Sequence, residues 1–123
     1  MEKPRFEFYT RPNGHNEFLE YYHHLPKKDR TKLFEVILNV QSDGLIIAEK
    51  MQWVKKLDDN LFELRSKFGS NIQRVLYFRV EETRFIVTHG FTKKTEQTPA
   101  KEIRHAKVIR KEFYSEVSHH ANY

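Results

Sequence analysis

The chain contains no cysteine, so it can build neither a disulfide framework nor a thiolate metal site, and a reducing compartment suits it. No apolar run approaches the ~20 residues of a membrane span, and Met1-Glu2-Lys3-Pro4-Arg5 leads into mixed polar and aromatic residues instead of a secretory segment. Carboxylates are not clustered either, which leaves a two-metal nuclease without ligands. There is no internal repeat, low-complexity segment or linker. These absences point to one cytoplasmic domain over residues 1–123, with no metal, no cofactor and no membrane partner.

What is present is positive charge and aromatic surface. The 22 Lys+Arg against 17 Asp+Glu give a formal net charge of +5, a balance that favours polyanions or an acidic protein partner. Ten Phe and six Tyr serve first as core, Tyr77 and Phe78 included, and only secondarily as stacking platforms.

In chain order, Arg5 to Thr10 alternates Phe6, Phe8 and Thr10 against Arg5, Glu7 and Tyr9, the pattern of a half-buried strand that Pro12-Asn13-Gly14 ends. Phe18, Tyr21, Tyr22 and Leu25 recur at helical spacing between His15 and Leu25. Pro26 then opens a second helix whose stripe is Leu33, Val36, Ile37 and Val40, closed by Gly44. Leu45 to Leu57 reads equally as a short helix or as an irregular segment docking Trp53. Three strands follow, Asn60 to Ser66, Asn71 to Arg79 and Arg84 to Phe91, with polar turns between them. Thr98 as N-cap and Pro99 at the first helical position start a last helix with the stripe Ile103, Ala106, Ile109, Phe113 and Val117, ending near Ser118 and frayed from His119 to Tyr123.

The order β-α-α-β-β-β-α is an α+β pattern: an antiparallel-dominated sheet with an N-terminal helical hairpin on one face, plus a C-terminal helix. Strand parity puts Leu61, Glu63 and Arg65 on one face, opposite Phe62 and Leu64, and puts Arg74 with Ile72, Leu76 and Phe78. Parity does not say which side of the sheet Arg74 takes. Arg65, Arg74, Lys93 and Lys94 lie in or at the ends of strands, where neutral residues would serve structure better, so a basic sheet surface is expected.

The runs Lys56-Leu57, Leu61-Phe62-Glu63-Leu64-Arg65, Arg74-Val75-Leu76-Tyr77-Phe78, His89-Gly90-Phe91-Thr92-Lys93-Lys94-Thr95, Thr98-Pro99 and Glu102-Ile103 with Ala106 together resemble the RelE/HigB-type toxins, in particular their phage-derived branch. The match is dense over the second half and, over the first, holds only in the order of elements. The resemblance implies a RelE-like fold and the toxin of a type II toxin–antitoxin pair. Such a toxin is an endoribonuclease that cuts messenger RNA on the ribosome. It is held in check by a helix-turn-helix antitoxin, through which alone it meets DNA.

It also implies basic site residues at Arg65, Arg74, Lys93 and Lys94. The C-terminal candidates for proton transfer, Tyr114, His119, His120 and Tyr123, do not align with the family pattern, which leaves general acid and base unassigned.

Metal-free RNA cleavage has a ribose 2′-OH attack the adjacent phosphate, and fixed cations stabilise the charge that gathers on the phosphoryl oxygens. Arg65 and Arg74 suit that task, since a guanidinium grips phosphate bidentately and holds its proton. Either equally suits a cross-strand pair with Glu or Asp. A crowded Lys93 or Lys94 would be a better proton acceptor, and a solvated loop end is the plainer reading of both. Glu63 is a rival base, or the counter-ion that orients Arg65. His89 and Tyr114 complete the expected substrate contacts, with a packed histidine the plainer reading of His89. Two rivals stand beside the nuclease: a catalytically silent RNA- or protein-binding module, and a toxin of this fold directed at gyrase.

Overall fold

The computed structural model describes residues 3–121. Its elements are β1 (Arg5–Phe8), α1 (Glu17–His24), α2 (Lys27–Asp43), α3 (Leu45–Lys50), β2 (Val54–Asp58), β3 (Leu61–Phe68), β4 (Asn71–Glu81), β5 (Arg84–Lys93) and α4 (Ala100–Ala121). The strands form one five-stranded sheet in the order β1-β5-β4-β3-β2. β1 runs parallel to β5 at one edge, and every other pairing is antiparallel. This is the expected α+β architecture, with one strand more than the sequence pattern showed.

The extra strand is β2, which with α3 resolves the ambiguous stretch from Leu45 to Leu57. Its sequence VKKLD does not alternate, and its exposed Lys55 and Lys56 reflect an edge position. Gly44, at φ 90°, lets the chain turn from α2 directly into α3. Asn16 caps α1 by accepting from the Leu19 amide at 3.1 Å.

One face of the sheet is covered by α1 and α2. There Phe18, Leu33, Val36, Ile37 and Val40 pack on Leu64, Val75, Tyr77, Phe85 and Val87, with Phe6 and Phe8 from β1 beside them. The other face is covered by α4 in two smaller clusters, Leu61, Leu76, Phe91 and Ala106, then Phe78, Ile86 and Phe113. Val117, expected in the α4 stripe, is instead 48% exposed. α4 reaches Ala121, beyond the expected end near Ser118. The expected fraying from His119 to Tyr123 falls partly outside the described residues, as do the side chains of His119 and His120 and all of Tyr123.

Two local features re-aim side chains. A bulge between Leu76 and Tyr77 pairs Leu76 with His89 but Tyr77 with Val87, so Val87 faces the helical hairpin while His89 faces α4. At Gly90 an added Cβ would lie 2.5 Å from the Tyr21 ring, whose hydroxyl bonds the Thr92 hydroxyl at 2.8 Å. Glycine is needed there because α1 sits directly on the strand.

Candidate functional site

Register decides what parity left open. Arg65 lies opposite Arg74, Glu63 opposite Leu76 and Lys55, and Arg74 opposite Phe91. Because Leu76 and Phe91 belong to the α4-side cluster, Glu63, Arg65 and Arg74 share the α4 side, and alternation adds Lys55 and Lys93. The α4 side of the sheet therefore mixes buried charge with apolar clusters, while the side toward α1 and α2 is mainly apolar, with Ser66 and Gln73 as its buried polar members.

Within that face the charges are layered by depth. Glu63 and Arg74 are fully buried. The Glu63 Oε1 accepts from the Thr98 hydroxyl at 2.5 Å and stands 3.6 Å from Arg74 Nη1, while its Oε2 stands 3.3 Å from Arg65 Nε. Arg74 Nη1 donates to the Glu96 carbonyl at 3.0 Å and the Thr98 hydroxyl at 3.3 Å. Its Nε and Nη2 have no hydrogen-bond partner among the described residues. Thr98 is thus drawn into this network instead of capping α4, and Pro99 takes the capping position, accepting the Glu102 amide at 3.1 Å.

Arg65 lies at the surface end of the network. Its guanidinium donates through Nη2 to the Glu96 carboxylate at 3.0 Å, and that bond holds the Glu96 carboxyl below the usual carboxylate range. Arg65 also lines a cleft of about 310 Å³ with Lys32, Trp53, Lys67, Ile72 and Glu96. β2 pairs β3 as far as Leu64, and the Arg65 amide bonds the Trp53 carbonyl at 2.7 Å, so the β3 edge is free of a strand neighbour only from Ser66 onward, where the cleft opens. Lys32 enters it from α2, and Lys67 belongs to the extension of β3 to Phe68, beyond the Ser66 expected.

The expected site residues therefore separate. Arg65 meets a solvent-facing cleft. Arg74 does not, because the segment from Lys93 to Thr98 closes over it, so the direct phosphate contact expected of it is unavailable in this conformation. Glu63 is buried between the two arginines, which makes it their counter-ion and keeps it from substrate. Lys93 is half-buried and Lys94 exposed at the end of β5.

His89 is buried as well, its Nε2 3.1 Å from Glu102 and its Nδ1 3.0 Å from the Thr88 hydroxyl, with the His105 ring centred 4.8 Å away. Burial pushes its pKa down, outweighing the opposing pull of Glu102. It ties β5 to α4 and is no substrate contact in this conformation. Tyr114 bonds weakly to the Arg79 carbonyl at 3.5 Å, five residues along β4 from Arg74 and so roughly 17 Å away. The expected grouping of Tyr114 with the arginines does not occur.

Lys55 and Lys67 join this region without a sequence signal, since each is placed by an edge that no local pattern encodes, and Lys32 joins it from the basic run Lys27-Lys28-Asp29-Arg30-Lys32, whose plain reading is a solvated helix face. Among the described residues no group of three or more His, Asp or Glu side chains is arranged to hold a metal ion, and no helix is long and apolar enough to cross a membrane.

A protein-family model described as "Phage derived protein Gp49-like (DUF891)" matches residues 20–111. That span runs from within α1 into α4 and contains every residue of the charged network and its cleft. No curated protein matches the chain.

Proposed function

The chain belongs to the phage-derived Gp49-like family, and from that premise we propose that it is the toxin of a type II toxin–antitoxin pair. In this reading it is a single domain over residues 1–123, a RelE/HigB-type endoribonuclease that cuts messenger RNA on the ribosome in the cytoplasm without a metal ion. The observation that carries the reading is Arg65, braced by Glu63 at 3.3 Å and Glu96 at 3.0 Å and opening on a cleft that also holds Lys32 and Lys67.

Arg65 grips the scissile phosphate. Its guanidinium is already oriented when charge develops on the phosphoryl oxygens, so little reorganisation remains in the transition state. Glu63 and Arg74 act as positioning residues beneath it, and Lys32, Lys67, Lys93 and Lys94 hold neighbouring phosphates. A guanidinium locked between carboxylates is a poor proton shuttle, His89 is buried with both ring nitrogens engaged by Glu102 and Thr88, and Tyr114 lies away along β4. Dependence on the ribosome follows: the ribosome holds the 2′-OH in line with the phosphate, supplying geometry that this site lacks. The partner is a helix-turn-helix antitoxin, through which the pair reaches DNA.

The test is purified protein added to translating ribosomes. Cut transcripts are expected with the native chain and none with Arg65→Ala, while Arg65→Lys retains a remnant because it keeps charge but loses the fork. Intact transcripts with the native protein, or cuts that persist in Arg65→Ala, refute the proposal. One observation favours a silent binding module instead: Arg65 and Arg74 are both matched by carboxylates in place. Growth that continues on induction of the native chain would support that module.

A further inference from the structure

On the opposite face of the sheet, a cleft of about 610 Å³ opens between α3 and the aromatic row formed by Phe62, Tyr77 and Phe85. We propose that this cleft is a guanine-nucleotide site, in which Glu49 and Tyr77 read the base and Lys56 holds the phosphate. Its size falls in the range of small-ligand sites, and an apolar floor with a few converging polar groups is their usual make-up.

The floor is aromatic. Phe62 stacks on Tyr77 at 5.5 Å between ring centres, and Phe85 meets Tyr77 edge-on at 5.5 Å. Tyr77 is 1% exposed, and its hydroxyl, which makes no hydrogen bond among the described residues, is not one of the fully buried unpartnered atoms and so reaches the cleft. Burial, and then the negative field of Glu49, push its pKa up, so the phenol stays a donor waiting for an acceptor.

Glu49 lines the same cleft and has no ionic partner among the described residues. Its two oxygens match a base edge that offers two parallel N–H donors. Guanine has that edge, in its ring imino and exocyclic amino groups, and its O6 and N7 can accept from Tyr77. Adenine lacks the ring N–H, and cytosine offers one amino group.

The rim is cationic. Lys56 lies opposite Phe62 in the ladder and has no ionic partner among the described residues. Arg79 covers Phe85 at 5.9 Å from the ring centre, in the stacked mode that guanidinium groups also offer to bases. The aromatic floor of the site lies on the other face of the sheet from Glu63 and Arg74. Gln52 and Arg65 line both clefts, which makes the guanine site continuous with the phosphate cleft for a strand crossing the β2 edge.

Amide chemical shifts of the isotope-labelled full chain, followed during titration with 5′-GMP, 5′-AMP and 5′-CMP, decide the matter. GMP is expected to shift Glu49, Phe62 and Tyr77 and to bind roughly tenfold more tightly than AMP or CMP. Glu49→Gln should erase that preference, and Tyr77→Phe, which keeps the ring packing, should weaken GMP several-fold at an unchanged melting temperature. A short single-stranded RNA with one guanine separates the two sources: tighter binding than GMP identifies a strand, and equal or weaker binding a free nucleotide. No binding at millimolar GMP, equal response to all three nucleotides, shifts confined to Arg65 and Lys67, or a preference that survives Glu49→Gln would each overturn the site. Transcript cleavage is a separate measurement, so GMP binding without cleavage would sink the nuclease reading alone.

Discussion

The two faces of the sheet are built from alternate residues of the same strands and solve burial in opposite ways. Toward α1 and α2, Leu64, Val75 and Val87 enter an apolar layer that any well-shaped hydrocarbon would satisfy. Toward α4, the intervening Glu63 and Arg74 are equally buried but depend on each other's charge and on Thr98 and Glu96 from a distant loop. The first face is held by area removed from water, the second by matched partners. A face of the second kind is costly to assemble and tolerates little change, which is how a surface arginine such as Arg65 comes to be held in one orientation.

Breaking the charged face should give the largest effect. Glu63→Ala leaves Arg74 buried without its carboxylate, and a loss of about 3–5 kcal/mol is expected in chemical denaturation. The pair Glu63→Leu with Arg74→Met should recover much of that loss while still abolishing cleavage. If the double variant is no more stable than Glu63→Ala, the loss does not come from unmatched charge. On the mainly apolar face, Leu33→Ala should cost about 2–5 kcal/mol through the cavity it leaves, with no second substitution elsewhere to restore it.

Gly90→Ala should cost about 1–3 kcal/mol, because its new Cβ forces Tyr21 to move, and the bond from Tyr21 to Thr92 should be lost in the same variant. An unaltered melting temperature would count against the close seating of α1.

His89 sharpens the comparison by pH. Its pKa is lower in the fold than in the unfolded chain, so the unfolded chain binds the extra proton first. Stability should therefore fall as pH drops below about 6.5 and level off once the folded pKa is passed. Denaturation midpoints between pH 8 and pH 5 should show this decline in the native chain and a flatter profile in His89→Gln. The smallest change in stability belongs to Arg65→Ala, about 1–2 kcal/mol, because the buried Glu63 loses its partner at Oε2 but keeps Arg74 and Thr98 at Oε1. That variant separates function from fold, since the proposed cleavage should vanish while the chain still folds.

The helix and strand periods made much of this fold legible. Leu33, Val36, Ile37 and Val40 are all buried, as their spacing requires, and the three strands from Leu61 onward fall within a few residues of their expected ends. β2 was not legible, because an edge strand with adjacent lysines carries no alternation. The pairing of Glu63 with Arg65 on one face was readable from parity; the side taken by Arg74 was not, and neither was the bulge that sends Val87 and His89 to different faces.

What the sequence determined by itself is most of the elements, the apolar stripes and the presence of cations on strands, because those depend on neighbours three or four residues away in a helix or two in a strand. What only the tertiary structure decided is the depth at which each charge lies. Arg65 and Arg74 face each other across one ladder, and the difference between a cleft wall and a buried brace comes from residues 93–98 folding over one and β2 ending short of the other. Burial of a charge is set by what arrives from elsewhere in the chain, and no local pattern records that.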